Sequence, residues 1–230
     1  MIQSETISDR NRELVFVDLD RCLLREDSIR VVVSELLRRR ILSRSLVLTG
    51  SVVYLQYRLN LRDPEVLVRY AIRRLAGTPY PLIEEISYDV YHRHLRNRFH
   101  PLLLRELESH LKEGRPVFLL TGGLPPIPQL VGRELGLSGV FATTPELSGG
   151  VFTGRILEPP CVGKGKVVHA QRAAKRAGGV LSQAWFYTDS SSDLPLLRIV
   201  RHPVAVTPDP LLSFVARRRG WRILREGERV

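Results

Sequence analysis

The stretch Leu14-Val15-Phe16-Val17-Asp18-Leu19-Asp20 constrains the fold of this chain more than any other. Four apolar residues in a row are the pattern of a strand buried on both faces, as in parallel sheets covered by helices. The run ends in two carboxylates two residues apart, so both project from one rim, where open α/β sheets keep their chemistry. With 230 residues and 43% hydrophobic content, the chain can bury the core of one large domain or of a domain with an insertion.

Beyond this strand, residues 18–27 read as a loop carrying Asp18, Asp20, Glu26 and Asp27, an acid density that favours a nearby cation. From Ser28 to about Phe99 the period becomes helical: Ile29, Val32, Val33, Leu36 and Leu37 form one stripe, and Val66, Leu67, Tyr70, Ala71 and Leu75 another. No strand pattern interrupts it, so it reads as a separate helical insertion. A helix over 102–111 stops at Gly114, and 116–120 is a second buried strand ending in Thr121-Gly122-Gly123.

A helix over 127–135 follows, then short strands or a hairpin at 140–142 and 151–156 turning through Ser148-Gly149-Gly150. Residues 167–176 are helical and stop at Gly178-Gly179. Residues 185–188 form a third core strand, ending in Asp189-Ser190-Ser191-Ser192-Asp193, 203–206 a fourth, and 211–219 a terminal helix. The expected fold is α/β: a Rossmann-like, mostly parallel sheet with helices on both faces, plus a helical cap inserted after the first strand. Residues 1–27 and 101–230 would form the core and 28–100 the cap.

Three strand ends then present Asp18/Asp20, Thr121-Gly122-Gly123 and Asp189/Asp193 on one edge, with Lys166 at a helix start between the last two. Carboxylates, a hydroxyl, backbone amides and an ammonium together suit a phosphate group with a divalent metal, which points to phosphoryl transfer. Gly163-Lys164-Gly165-Lys166 is not a P-loop, because no Ser or Thr follows Lys166 and the earlier glycine spacing is missing.

These stretches, taken in order, resemble the haloacid dehalogenase superfamily, in particular its phosphoserine-phosphatase-like branch. The match rests on Phe16-Val17-Asp18-Leu19-Asp20, Leu120-Thr121-Gly122-Gly123, Gly163-Lys164-Gly165-Lys166 and 187–197, with further similarity at 150–154, 203–210 and 219–221. The resemblance implies that Asp18 is the nucleophile of a two-step phosphate ester hydrolysis and Asp20 its acid and base. It implies Mg²⁺ held by the Asp18 and Asp189 carboxylates and the Asp20 backbone carbonyl. Thr121, Gly122 and Gly123 would bind phosphate oxygens, Lys166 would offset their charge, and Asp193 would orient Lys166 or metal-bound water. The family's pattern of a glycine immediately before the lysine and an apolar residue after it favours Lys166 over Lys164.

Two positions depart from that pattern: Arg21 stands where a small residue is common, and Cys22 where Thr or Val is usual. Cys22 fills the volume but donates hydrogen bonds poorly, so weaker support of the first loop is expected; it reads as a small buried residue. Asp27 occupies the place of an acid that faces the substrate amine in the branch, and it equally suits a cap for the helix starting near Ser28. Arg58, Arg62, Arg69, Arg73 and Arg74 are alternative partners for a substrate carboxylate. The apolar stretch 46–57 either packs the cap or lines a pocket for an apolar leaving group.

The chain carries 35 basic against 24 acidic residues, a formal charge of +11, with only four Lys. This is read as a basic surface rather than a nucleic-acid site, since few aromatic residues interleave with Arg38-Arg39-Arg40 or Arg217-Arg218-Arg219. Cys22 and Cys161 fit neither a disulfide framework nor a metal knuckle, and His92, His94, His100 and His110 follow no metal spacing. No signal core or membrane-length run is present, so a cytoplasmic protein is expected. The reading is an Mg²⁺-dependent phosphatase acting on a small phosphorylated substrate. Transfer to an alcohol acceptor, and nucleic-acid or lipid binding on an inactive scaffold, are the alternatives.

Overall fold

The computed structural model describes residues 13–42 and 63–225, with positions 50, 52 and 56 between them. Its sheet has six strands in the order β3-β2-β1-β6-β7-β8, formed by β1 (Val15–Asp18), β2 (Val117–Leu120), β3 (Gly139–Phe141), β6 (Trp185–Thr188), β7 (His202–Val206) and β8 (Arg222–Leu224). All pairings are parallel. β1 lies between β2 and β6, with Asp18 in register with Leu120, so the carboxyl ends of these three strands are neighbours.

The alternating residues of each strand divide between two cores. Val15, Val17, Val117 and Leu119 pack under α3 (Tyr80–Val90), α4 (Pro101–Lys112) and α5 (Pro126–Glu134) through Ile86, Leu103, Leu107 and Val131. Leu14, Phe16, Leu120 and Phe186 pack against α6 (Lys164–Ala177), the short α7 (Leu194–Leu197) and α8 (Pro210–Arg219) through Ala170, Ala173, Leu196, Leu212 and Ala216. Burial on both faces is why β1 is apolar up to its last residue, Asp18, and the helices cover both faces as expected.

Between β1 and β2 the described elements are helical: α1 (Ser28–Arg38), α2 (Pro64–Arg74), α3, continued by a π-helical turn at Tyr91–Leu95, and α4. Asp63 and Asp209 cap α2 and α8 through their side chains, each followed by a proline at the first helical position. His100 does the same for α4, its Nδ1 accepting from the Leu103 amide at 3.3 Å.

The structure corrects the expected hairpin. Gly149 and Gly150, with φ of 57° and 79°, form a turn that joins β4 (Pro145–Ser148) to β5 (Val151–Ile156). Residues 139–141 instead add to the sheet beside β2, because the turn pairs the strands directly flanking it. The hairpin is tied to the loop after α2 by Gly77 N–H to Phe152 O (2.9 Å) and Tyr80 N–H to Gly150 O (2.8 Å). β8 also lies beyond the expected terminal helix; it has three residues and an arginine at its start, too short for a strand period to show. The apolar stretch 46–57, Arg58 and Arg62 fall outside the described residues, apart from positions 50, 52 and 56.

Candidate active site

Asp18 is the last residue of β1, Thr121 follows β2 and Asp189 follows β6, so the sheet order brings them to one edge. Lys166, in the first turn of α6, reaches the same point: Nζ lies 2.7 Å from Asp18 Oδ1 and 2.7 Å from Asp193 Oδ2. Asp18, Thr121, Lys166, Asp189 and Asp193 are all buried. Burial pulls the Lys166 ammonium toward neutrality, but the two carboxylates outweigh it and hold the group protonated. A cation near a helix amino terminus works against the macrodipole, and this pair of carboxylates offsets that.

Local backbone explains how Lys166 gets there. Gly163 begins α6 with φ of 50°, a left-handed conformation that suits glycine. A Cβ on Gly165 would collide with the carbonyl of Pro160, so the first turn of α6 lies directly on the 159–162 segment. The glycine before Lys166 is therefore a close-approach requirement.

Asp193 is held from a second side by Thr188, whose hydroxyl donates to Asp193 Oδ2 at 2.7 Å. Its side chain makes no helix-cap hydrogen bond; its Oδ2 takes both the Lys166 ammonium and the Thr188 hydroxyl. Asp209 was not singled out in the sequence. Its carboxylate accepts from the Ser191 and Leu212 amides, each at 2.7 Å, and its own amide donates to Asp189 O at 2.8 Å. It thereby fixes the loop that carries Asp189 to the start of α8; the sequence hinted at it through its place in the 203–210 similarity and before Pro210.

Arg21 is the other residue that sequence reasoning left without a role. It adopts φ of 57°, unusual for a residue with a side chain, and its guanidinium pairs with Asp189 Oδ2 at 2.7 Å. Burial pushes the Asp189 carboxyl up, and Arg21 opposes that. The loop around it is closed by Arg21 N–H to Glu26 O (3.1 Å), Leu23 N–H to Asp18 O (3.2 Å) and Leu24 N–H to Leu19 O (2.8 Å). Cys22 is fully buried inside that loop, and burial pushes its thiol up, consistent with a packing residue.

Asp20 accepts from the Ser28 amide through Oδ1 at 2.7 Å, which points its carboxylate to the start of α1. Burial, aided by the negative charge of Asp27 and opposed by Ser28, pushes its carboxyl up to about 7. Asp27 itself caps α1, Oδ1 accepting from the Arg30 amide at 3.3 Å, which is the capping alternative of the two open in the sequence. Thr121 Oγ1 accepts from the Gly123 amide at 3.1 Å, so Gly123 supports the Thr121 hydroxyl. A Cβ on Gly122 would collide with Val162, which holds this loop against the segment leading into α6.

The donor set fits a hard divalent cation. The Asp18 and Asp189 carboxylates and the Asp20 backbone carbonyl are all oxygen donors, and three buried carboxylates, Asp18, Asp189 and Asp193, face Lys166 and Arg21. Among the described residues no group of three or more His, Cys, Asp or Glu side chains is gathered as a metal cluster.

Elsewhere, Arg38 and Arg39 pair with Glu35, and Arg39 also with Glu85 and Asp89, so much of that basic run is matched by acids. Arg69 pairs with Glu65 at 2.6 Å and the Arg74 guanidinium lies 5.0 Å from the Tyr70 ring centroid. Among the described residues no helix is long and apolar enough to cross a membrane.

The model of the haloacid dehalogenase-like hydrolases matches residues 15–198. A phosphoserine phosphatase of Mycobacterium tuberculosis is 38% identical over 120 residues, 52% of this chain and 39% of that protein. A histidinol-phosphatase of Neisseria meningitidis is 25% identical over 218 residues, 93% of this chain and 98% of that protein. A solved structure from Bordetella pertussis, of a protein of unknown function, superposes with a TM-score of 0.81 at 27% identity, over 93% of this chain and 98% of that one. The chain spans 39% to 55% of the length of the first curated relatives it matches.

Proposed function

Since the chain belongs to the haloacid dehalogenase-like hydrolase family, we propose that it hydrolyses a small phosphomonoester through a phosphorylated Asp18. The observation that carries this reading is the placement of Lys166 Nζ at 2.7 Å from both Asp18 and Asp193 at the edge shared with Thr121. Burial pushes the Asp18 carboxyl up, and the ammonium held protonated there opposes that, favouring the ionised nucleophile, and faces the negative charge of an incoming phosphate.

In the first step an Asp18 oxygen bonds to phosphorus as the bond to the ester oxygen breaks, and the departing alkoxide takes a proton from Asp20. In the second a water oxygen displaces Asp18 from phosphorus and gives its proton to Asp20. A carboxyl near 7 exists in both protonation states at neutral pH, which this alternation needs. The Thr121 hydroxyl and the Gly122 amide bind phosphate oxygens, and Gly123 orients Thr121. The Asp18 and Asp189 carboxylates and the Asp20 carbonyl would hold Mg²⁺, which when bound would supply the charge neutralisation that lets phosphate approach a carboxylate. Asp27 acts through Asp20 rather than on substrate, and residues 28–100 act as the cap over the site.

The test is phosphate release from a panel of phosphomonoesters, including the phosphoserine and histidinol phosphate for which relatives are named, with Mg²⁺ and with EDTA. Metal-dependent release that Asp18→Asn abolishes, with melting temperature retained, supports the reading. Undiminished release by Asp18→Asn overturns it.

A further inference from the structure

A cavity of about 300 Å³ lies between the helices that follow β1 and the loop after β2. Its walls come from α1, α2 and α3, and Gly122, Gly123 and Leu124 close one side of it. The walls are Val32, Val33, Leu36, Leu67, Val68 and Ile83 in the main. Among the described residues that line it there is no carboxylate. Among the described residues its charged lining side chains are Arg30 and Arg74, both exposed, whereas Leu36, Val68 and Ile83 are buried.

Resting on the phosphatase reading, we propose that this cavity receives the leaving group of the substrate and that the alcohol is a compact apolar one, aryl or short alkyl. A phosphate on Thr121 and Gly122 has its ester oxygen beside the cavity, since Gly122 and Gly123 belong to both. Beyond Asp20 and Asp27, which flank the lining residue Ser28, an ammonium-bearing alcohol such as serine would leave water for a wall whose described residues carry no carboxylate, which is costly. An apolar group of the same size gains by the transfer. The volume stands at the small end of ligand pockets, about 300–1,000 Å³, which sets the size of the alcohol. The Tyr70 hydroxyl, on a lining residue, is buried with no hydrogen-bond partner among the described residues, so one polar atom on an otherwise apolar alcohol can be met there.

The test compares kcat/KM for benzyl phosphate and O-phosphoserine, both esters of primary alcohols, with acetyl phosphate as a donor that makes little use of the cavity. Wild-type protein is expected to prefer benzyl phosphate by about tenfold or more. Val33→Asp, and independently Leu67→Asp, should lower the ratio of benzyl phosphate to acetyl phosphate turnover by about tenfold. Turnover of acetyl phosphate with phosphoserine equal to or better than benzyl phosphate, or a ratio unmoved in both variants, overturns the assignment of the cavity and leaves the phosphatase reading standing. No turnover of any of the three with Mg²⁺ present overturns both.

Discussion

The Arg21 guanidinium sits 2.7 Å from Asp189 Oδ2, a carboxylate proposed to hold Mg²⁺. A side-chain cation on a metal ligand competes with the metal for the same negative charge. Arg21→Ala keeps a Cβ at the left-handed position, so the backbone cost is unchanged while the cation is removed. Mg²⁺ should bind the variant about tenfold more tightly, about 1.4 kcal/mol, by isothermal titration calorimetry. Unchanged or weaker binding would show that Arg21 and the metal do not compete.

Lys166 joins two buried carboxylates, and removing one partner of a buried ionic group leaves uncompensated charge. Lys166→Met should cost about 3–5 kcal/mol, read as a melting temperature lower by roughly 6–20 °C. Adding Asp193→Asn should recover part of that loss, since one stranded charge disappears. A double variant no more stable than Lys166→Met would argue against the pairing.

Gly165→Ala tests the contact that aims Lys166. The new Cβ meets the backbone carbonyl of Pro160, which cannot rotate aside, so a cost of about 1–3 kcal/mol is expected. Phosphate release should fall at temperatures where the variant is still fully folded by circular dichroism. Full activity in the folded variant would mean that α6 can shift without moving Lys166.

The buried His110 gives a pH dependence to stability. Its Nε2 lies 2.8 Å from the Tyr187 hydroxyl and its Nδ1 3.2 Å from Arg115, and burial together with Arg115 lowers its affinity for a proton. The unfolded chain protonates the same imidazole at about 6.5. Its contribution is therefore complete above that pH and declines as pH falls toward the lower folded value. Between pH 8 and pH 5.5, wild type should lose stability relative to His110→Gln in urea denaturation. Parallel pH profiles for the two proteins would contradict this; contributions from groups that do not interact with His110 are common to both and cancel.

Much of the fold was legible because its signals are local. An apolar run ending in Asp18 and Asp20, a second ending in Thr121-Gly122-Gly123 and a third ending in Asp189 need only burial on two faces to become β1, β2 and β6. Parallel pairing then gathers their ends. Asp193 and Lys166 were readable for the same reason, each lying next to a glycine or serine turn at an element boundary. What the sequence does not reveal depends on tertiary approach: Arg21 meets Asp189 across two loops, Asp209 reaches back to the Ser191 amide, and 139–141 pairs with β2 rather than β5. The apolar character of the cavity comes from α1, α2 and α3 meeting the 122–124 loop, which no single periodic stripe displays.

The central claim is that phosphate passes through Asp18, and the most direct measurement traps it there. In Asp20→Asn, acetyl phosphate can still phosphorylate Asp18, because its leaving group needs no proton, but the base for the attacking water is gone. Acid quenching after exposure to acetyl phosphate and Mg²⁺, followed by peptide mass spectrometry, should find one phosphoryl group on the peptide containing Asp18, located at that residue. A phosphoryl group on any other residue, or continued phosphate release with Asp18 unmodified, would contradict the account.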